Sequence, residues 1–231
     1  MISFILPIRN EKSFINKTLQ SIFSQTIDED FEIIVADGNS SDGTREILKN
    51  LQINNPNIIL IDNPEKIVST GFNRALNESK GDIIIRVDGH CEIAPDYIQK
   101  CLKCLEKINA DCVGGATEHV ASGLVGKAIK IAQSSFFGVG GVSFRKNVEK
   151  GQYVDTLAFG AYKREVFDQL GGYDEELVRN QDDEFNFRMI QNDGKIWLDP
   201  SIKSTYTQRN SFMGLFKQYF QYGFYKIRVM Q

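Results

Sequence analysis

Residues 82–92 read Asp82-Ile83-Ile84-Ile85-Arg86-Val87-Asp88-Gly89-His90-Cys91-Glu92, and this stretch decides the fold. Its first half is a β-branched run interrupted only by Arg86, which is typical of a buried strand in a parallel sheet. The run ends at Asp88, Gly89 and His90, so a carboxylate and an imidazole follow the strand directly. These two side chains together suit Mn²⁺ or a similar divalent ion. A polar turn with His90 at the surface explains the same three residues equally well.

Apolar runs and helical periodicities alternate four times along the first half of the chain. This alternation predicts an α/β domain with a doubly wound, mainly parallel sheet that is flanked by helices on both faces. In such sheets, ligands bind beyond the carboxyl ends of the strands, where the strand order reverses. The predicted strands cover residues 3–8, 31–36, 58–61, 83–87 and 112–116, and the predicted helices cover residues 13–24, 42–51, 66–78 and 95–109.

Polar loops follow three of these strands, at residues 9–11, 37–42 and 88–90. With the strand order 3-2-1-4, the three loops lie at one edge of the sheet, so their Asp, Asn and Gly residues predict a nucleotide site with a metal. The sequence has neither a G-x-G-x-x-G nor a G-x-x-x-x-G-K-[ST] motif to cradle phosphates. A divalent ion held by Asp88 and His90 would neutralise the phosphates instead.

The composition excludes several classes of protein. A net charge of −3 over 231 residues offers no basic field for nucleic acid. The run of about 18 apolar residues that a bilayer span needs is absent. Met1 leads straight into the first strand, so we expect a reducing, cytoplasmic setting in which the four cysteines are free thiols. Cys101 and Cys104 share a helical stripe with apolar residues, which favours core thiols over a zinc site.

The second half of the chain has a less regular pattern. A helix near residues 124–134 is followed by glycine-rich sequence, which we interpret as a flexible connector rather than a substrate lid. His119 is expected at the surface. A strand at 156–162, a helix at 164–170, a helix that begins near 181 and a strand at Trp197 and Leu198 complete this half.

Residues 211–230 form a predicted amphipathic helix in which aromatic residues mix with lysine and arginine. That composition suits a membrane interface, although packing on the domain or pairing of two chains in a homodimer would also cover the helix. We expect the complete protein to continue beyond Gln231 toward a membrane.

Six motifs in order give the sequence a family resemblance that extends over nearly the whole chain. The motifs are Pro7-Ile8-Arg9-Asn10-Glu11, Val35-Ala36-Asp37-Gly38-Asn39-Ser40-Ser41-Asp42-Gly43-Thr44, Arg86-Val87-Asp88-Gly89-His90, Gly160-Ala161-Tyr162-Lys163-Arg164-Glu165-Val166-Phe167, Gly171-Gly172-Tyr173-Asp174-Glu175 and Gln181-Asp182-x-Glu184-Phe185-x-x-Arg188. With these motifs the sequence resembles the inverting glycosyltransferases of family 2, most closely their bacterial exopolysaccharide branch, typified by succinoglycan glucosyltransferases.

The resemblance implies a single-domain nucleotide-diphospho-sugar transferase fold, known as glycosyltransferase type A. Residues 1–116 would form the half that binds the donor, and residues 117–210 the acceptor and catalytic half. Residues 211–231 would form the C-terminal amphipathic helix.

The resemblance also implies roles for residues of the donor site. Pro7 and Glu11 would shape the nucleotide pocket, and Asp37 would meet the uracil or other base. Asp88 and His90 stand at the family's D-x-D motif and would hold the metal, Mn²⁺ or Mg²⁺, and the donor. His90 replaces the usual second aspartate, which still leaves a metal ligand at that position.

Asp182 aligns with the acid that serves as the general base in the family. Gln181 replaces the common glutamate before it, and Glu184 replaces an aspartate. Because Asp183 is adjacent, the sequence leaves both aspartates open as the base.

The implied function is metal-assisted transfer of a sugar, with inversion, from a nucleoside-diphosphate sugar, with a UDP-sugar favoured. The acceptor would be a saccharide or a lipid-linked molecule in cell-surface polysaccharide biosynthesis, at the inner face of the plasma membrane. Two alternatives remain open, namely a sugar-nucleotide-forming nucleotidyltransferase and a non-catalytic nucleotide-sugar or glycan-binding module. The glycine-rich loop that opens the nucleotidyltransferases is absent.

Overall fold

The computed structural model describes residues 1–121, 123–134, 149–207 and 211–229. The strands in these residues are β1 (Ile2–Ile8), β2 (Phe31–Asp37), β3 (Ile58–Asp62), β4 (Ile83–Arg86), β5 (Cys91–Ile93), β6 (Cys112–Val120), β7 (Gln152–Val154), β8 (Ala161–Lys163) and β9 (Ile196–Thr207). The helices are α1 (Ile15–Phe23), α2 (Thr44–Asn54), α3 (Val68–Glu78), α4 (Tyr97–Lys107), α5 (Gly123–Ser134), α6 (Arg164–Leu170), α7 (Gln181–Gln191) and α8 (Phe212–Val229).

One half of the sheet consists of the parallel strands β3-β2-β1-β4, in the predicted order. Strand β1 lies at the centre of this half, and all of its residues are buried. Alternate residues of β1 contribute to two cores, with Phe4 in the cluster that includes α1 and Ile5 in the cluster that includes Phe72 of α3. Both faces of the strand are therefore covered, which explains its continuous apolar run.

The other half of the sheet is mixed, and here the expected parallel pairing is incomplete. Strand β8 lies between β4 and β6 and is antiparallel to both, while β6 and β9 are parallel and β5 and β7 pair antiparallel with β9. Strand β8 is also shorter than the strand predicted at 156–162. Strand β5 has only three residues and therefore no measurable periodicity, so the sequence pattern did not reveal it. For β8 the pattern indicated a strand but not its ends.

A bulge in the pairing of β6 with β9 accommodates a close approach of the two backbones. The register shifts between Gly114 and Ala116. A Cβ atom at Gly115 would overlap the carbonyl oxygen of Ile202, so only glycine fits at this position.

The predicted helices are confirmed, with ends that differ by a few residues. The fourth, for example, begins at Tyr97 instead of Pro95. The four cysteines are free, and three of them are buried, as expected of core thiols. His119 is half-buried on β6 beside Tyr206, whereas a surface position was expected. The glycine-rich connector at 135–148 lies outside the described residues.

No helix among the described residues combines the length and the apolar character needed to cross a membrane.

The register of the parallel strands brings their polar ends together. Ile8 at the end of β1 pairs with Asp37 at the end of β2, and Ile5 pairs with Arg86 at the end of β4. The loops after β1, β2 and β4 therefore leave the sheet at the same edge, as predicted.

Candidate active site

Asp37 ends strand β2 and is completely buried. Its carboxylate accepts a hydrogen bond of 2.9 Å from Nη1 of Arg45, and it also accepts hydrogen bonds from the backbone N–H and the hydroxyl of Ser40. Arg45 bonds Asp62 at the end of β3 as well, and hydrogen bonds to the two carboxylates raise the pKa of its guanidinium. The buried charge of Asp37 is thus compensated by an arginine in the first turn of α2, the next element of the chain.

The loops after β1 and β2 are joined by reciprocal hydrogen bonds. Asn10 N–H donates to the Ser40 hydroxyl, and Ser41 N–H donates to the Asn10 side chain, each over 2.9 Å. Glu11 N–H donates to the hydroxyl of Thr44 at 2.8 Å. Asn10 has a φ of 58°, a left-handed conformation that asparagine tolerates better than most residues. These contacts fix the position of Glu11 relative to the end of β2.

Arg86 is the cation at the end of β4, and its side chain is only 10% exposed. Its Nε and Nη2 atoms donate to Oδ1 of Asp88 over 3.1 Å and 2.9 Å. Nη1 lies 3.4 Å from Oδ2 of Asp182, and the guanidinium carbon is 6.0 Å from the ring centroid of Tyr173. Burial alone would lower the pKa of Arg86, but the charges of Asp88 and Asp182 outweigh burial and raise it.

His90 lies beside Glu11 in a nearly closed setting. Its Nδ1 atom is 2.9 Å from Oε1 of Glu11, and the two side chains are 12% and 10% exposed. The imidazole packs edge-on against Tyr206 and contacts Phe14, with centroid distances of 4.6 Å and 6.2 Å. Nε2 of His90 is buried and has no hydrogen-bond partner in the described part of the chain.

Asp182 and Asp183 occupy the first turn of α7, which follows Asn180 in a left-handed conformation. Asp182 contacts Arg86, whereas Asp183 faces Thr156, with a hydrogen bond of 3.4 Å, and Lys226 of α8, at 3.5 Å. Partial burial and the charge of Asp182 raise the pKa of Asp183. The two adjacent carboxylates therefore have different surroundings.

The structure brings most of the predicted site residues into contact, in two groups. Glu11 touches His90, and Asp88 is joined to Asp182 through Arg86. Asp37 ends a neighbouring strand at the same edge, with its own arginine partner. Pro7 lies within β1, where its Cβ faces Gly71 of α3.

Arg86 is the residue that the sequence interpretation missed, because it was treated only as an interruption of the strand. A charged residue inside a buried β-branched run is itself a signal, since arginine is rarely buried without a partner. Arg45 was missed as well, and no local pattern points to its contact with Asp37.

The donor atoms at this edge fit a divalent cation that takes part of its coordination from a substrate. Among the described residues, no three His, Cys, Asp or Glu side chains are grouped closely enough to hold a metal ion by themselves. Asp88 uses Oδ1 for Arg86, while Oδ2 makes no hydrogen bond within the described ranges. Together with the unpartnered Nε2 of His90, this gives an oxygen and a nitrogen as candidate ligands, and substrate phosphates and water would have to complete the shell, as is common for Mg²⁺.

The sequence comparisons identify related proteins. A family model described as "Glycosyl transferase family 2" matches residues 3–171. The chain is 32% identical over 221 residues to the succinoglycan biosynthesis protein ExoA of Rhizobium meliloti (strain 1021), an alignment that covers 95% of this chain and 67% of that protein.

Two solved structures share the fold. TarS of S. aureus, as the 1-349 structure in complex with UDP, matches with a TM-score of 0.68 and 18% identity over 90% of this chain. The mannosyltransferase PcManGT of Pyrobaculum calidifontis, in complex with GDP-Man and Mn2+, matches with a TM-score of 0.70 and 19% identity over 94%. This chain spans 60% and 59% of their lengths. The matches confirm the glycosyltransferase type A fold.

We expect replacement of Arg86 by methionine to destabilise the protein. The substitution keeps much of the side-chain volume but leaves Asp88 and Asp182 without the cation between them. Breaking a buried ion pair in this way costs about 3–5 kcal/mol of unfolding free energy. Urea unfolding followed by circular dichroism measures the loss.

Arg74→Met is the matched control, because Arg74 pairs with Glu65 at a site where both side chains are more than 40% exposed. Its loss should cost less than about 1 kcal/mol. Equal losses in the two variants would show that the Arg86 cluster has no special role in stability.

Proposed function

The chain belongs to glycosyltransferase family 2, and on that premise we propose that it transfers a sugar, with inversion, from a nucleoside-diphosphate sugar to a saccharide or lipid-linked acceptor. The observation that carries the proposal is the cluster in which Arg86 joins Asp88 and Asp182. In this cluster the carboxylate proposed to hold the metal and the carboxylate proposed as the base contact the same guanidinium, which supports the proposal. The contact of Asp182 with the donor edge also argues against a non-catalytic binding module.

The donor would lie across the carboxyl ends of β1, β2 and β4. In this proposal the pocket for its base and ribose is shaped by Pro7 and Glu11, and Asp37 meets the base. The hydrogen bonds that join the loops after β1 and β2 support these roles, because groups already held in place lose little conformational entropy on binding. UDP is the favoured nucleotide, although the solved relatives bind UDP in one case and GDP-Man in the other.

Asp88 and His90 would hold the divalent cation, Mn²⁺ or Mg²⁺. When bound, such a cation stabilises the negative charge of the nucleoside diphosphate as it leaves. The presence of Mn2+ in the PcManGT structure supports a metal in this chain. Asp88 would be held in place for this task by the two hydrogen bonds from Arg86.

Asp182 would accept the proton of the attacking hydroxyl of the acceptor, so that one displacement at the anomeric carbon inverts its configuration. We favour Asp182 over Asp183 because of their contacts. Asp182 contacts Arg86 at the carboxyl end of β4, and exposure does not separate the two carboxylates, since Asp182 is 36% and Asp183 39% exposed. Asp183 is directed to Thr156 and to Lys226 of α8.

In this proposal residues 1–116 bind the donor, residues 117–210 supply the base and the acceptor site, and α8 contacts a membrane surface. Four aromatic side chains of α8 repeat every four residues and are about two-thirds exposed, namely Phe212, Phe216, Phe220 and Phe224. The opposite side of the helix is attached to the domain through Arg179–Gln221, Asn180–Tyr222 and Lys226–Asp183 contacts. An apolar helix face of this kind suits the interface of a bilayer. The role of ExoA in succinoglycan biosynthesis supports a polysaccharide pathway.

The donor proposal predicts a metal-dependent shift in thermal unfolding. Addition of UDP with Mn²⁺ should raise the melting temperature by several degrees, since ligand at about 100 times its Kd contributes about 2.7 kcal/mol. UDP without Mn²⁺ should give a smaller shift. A screen of nucleoside diphosphates and their sugars by differential scanning fluorimetry measures both.

Asp88→Ala should remove the Mn²⁺-dependent part of the shift, and Asp96→Ala serves as the control because Asp96 pairs with Lys100 on the exposed side of α4. If no nucleotide gives a shift in any metal, the proposed donor site is wrong.

The catalytic proposal predicts that Asp182→Asn binds the donor but does not turn over. Loss of a general base lowers the rate by about 10²–10⁴-fold. The assay uses the sugar nucleotide that gives the largest thermal shift in the screen. It measures release of the nucleoside diphosphate in the presence of a panel of saccharide and lipid-linked acceptors. Asp183→Asn is the matched variant and should retain activity within about tenfold. Full activity of Asp182→Asn would refute the assignment.

The membrane proposal predicts that the protein floats with liposomes of anionic lipid in a density gradient. The triple variant Phe216→Ser, Phe220→Ser and Phe224→Ser should abolish co-flotation, because the apolar area that would be buried in the bilayer interface is lost. Ile53→Ser is the control, since Ile53 is an apolar side chain that is 79% exposed on a different helix, α2. If the protein does not float with liposomes and sediments as a dimer, the result favours pairing of two chains through α8 instead.

A further inference from the structure

We propose that Glu11 is a positioning residue for His90, which orients the imidazole and holds its proton on Nδ1 so that the lone pair of Nε2 is free for a divalent cation. This inference rests on the proposed function, because it gives Glu11 a task in the donor site beyond shaping the nucleotide pocket.

The contact between the two side chains sets the tautomer. An ionised carboxylate can only accept hydrogen bonds, so Nδ1, at 2.9 Å from Oε1 of Glu11, is the nitrogen that carries the proton. In a neutral imidazole the other nitrogen, Nε2, then has a free lone pair. Metal-binding histidines are typically oriented by a carboxylate in this way.

Nε2 itself lacks a partner in the part of the chain that the structure describes, although it is buried. A buried polar atom without a hydrogen bond destabilises the folded state, and native proteins contain few of them. A cation bound at Nε2 would satisfy this atom. The unpartnered nitrogen is therefore the observation that points to a ligand.

The backbones of Glu11 and of the residue before His90 are both held. The carbonyl of Glu11 accepts the N–H groups of Phe14 and Ile15, and its own N–H is bonded to Thr44. The Gly89 carbonyl accepts a hydrogen bond of 3.0 Å from Thr18, and a Cβ atom at Gly89 would lie 2.6 Å from Cγ of Glu11. Glycine at this position is what allows the carboxylate to reach the imidazole.

Aromatic contacts restrict the ring further. Tyr206 packs edge-on against the imidazole of His90. Phe14, the residue just before α1, contacts the same ring. With the ring between these residues and its Nδ1 tied to Glu11, rotation about its side-chain bonds is limited. The histidine of the D-x-H motif is thus held in one orientation by a hydrogen bond and by aromatic packing.

The tautomer can be measured directly because the chain has only two histidines, His90 and His119. Two-dimensional ¹⁵N NMR of metal-free protein at about pH 8.5, where an ordinary imidazole is neutral, should show the Nδ1–H form for His90. His119→Gln assigns the signals. A His90 with its proton on Nε2, or protonated on both nitrogens at this pH, overturns the proposal.

The metal affinity gives a second readout. Electron paramagnetic resonance of free Mn²⁺, with and without UDP, should show a Kd about 10–100-fold weaker for Glu11→Ala. Glu11→Gln should retain most of the affinity, since an amide oxygen also accepts the Nδ1 proton. Glu92→Ala removes an exposed carboxylate from neighbouring β5 and should leave the Kd unchanged.

Asp88→Ala separates failure of this inference from failure of the proposed function. If Asp88→Ala weakens Mn²⁺ binding and Glu11→Ala does not, the role of Glu11 is refuted and the donor site stands. If the wild type binds no Mn²⁺ while the NMR shows the Nδ1–H form, the metal role is refuted for Asp88, His90 and Glu11 alike. If Glu11→Ala does not fold, the wild-type tautomer and the Glu11→Gln affinity still decide the outcome.

Discussion

The buried guanidinium of Arg86 is the constraint on which the candidate site depends. A cation in the interior needs anions close by, and Asp88 and Asp182 supply them from parts of the chain almost a hundred residues apart. The cluster therefore fixes the first turn of α7 against the carboxyl end of β4. It also lets two carboxylates remain near each other in one crevice, where without a cation they would repel. Under the proposed function, the residues of the donor side and of the acceptor side meet at this one arginine.

The parallel half of the fold follows from the sequence because its information is local. Runs such as residues 33–36 are apolar on both faces, which is typical of a strand covered by two layers. The alternation with helices then indicates a parallel, doubly wound sheet, and the order β3-β2-β1-β4 is the one considered for it. Strands β5 and β8 are different, since three residues have no period. Their position depends on pairing with β9 and β4, which are distant in the chain. No short-range pattern encodes that choice.

The candidate site also has a part that local sequence predicts and a part that depends on contacts between distant residues. The acids at the carboxyl edge of the parallel strands were predictable because each lies at or just after a strand end, and ligands bind beyond such strand ends. The contacts of Arg86 with Asp182 and of Glu11 with His90 were not, since they arise only when separate loops fold together. The choice between Asp182 and Asp183 depended on the tertiary neighbours as well. Adjacent residues of a helix point about 100° apart, so packing alone decides which one faces Arg86.

The four thiols have a practical consequence. Cys91, Cys101 and Cys112 are buried in the core, and burial raises the pKa of each. Burial and the nearby Asp199 raise the pKa of Cys104 to about 11. Because the thiolate is the reactive form, alkylating reagents should leave the native chain untouched at neutral pH. A cysteine introduced on an outer surface would then be labelled selectively with a maleimide dye, and the natural cysteines need not be removed first.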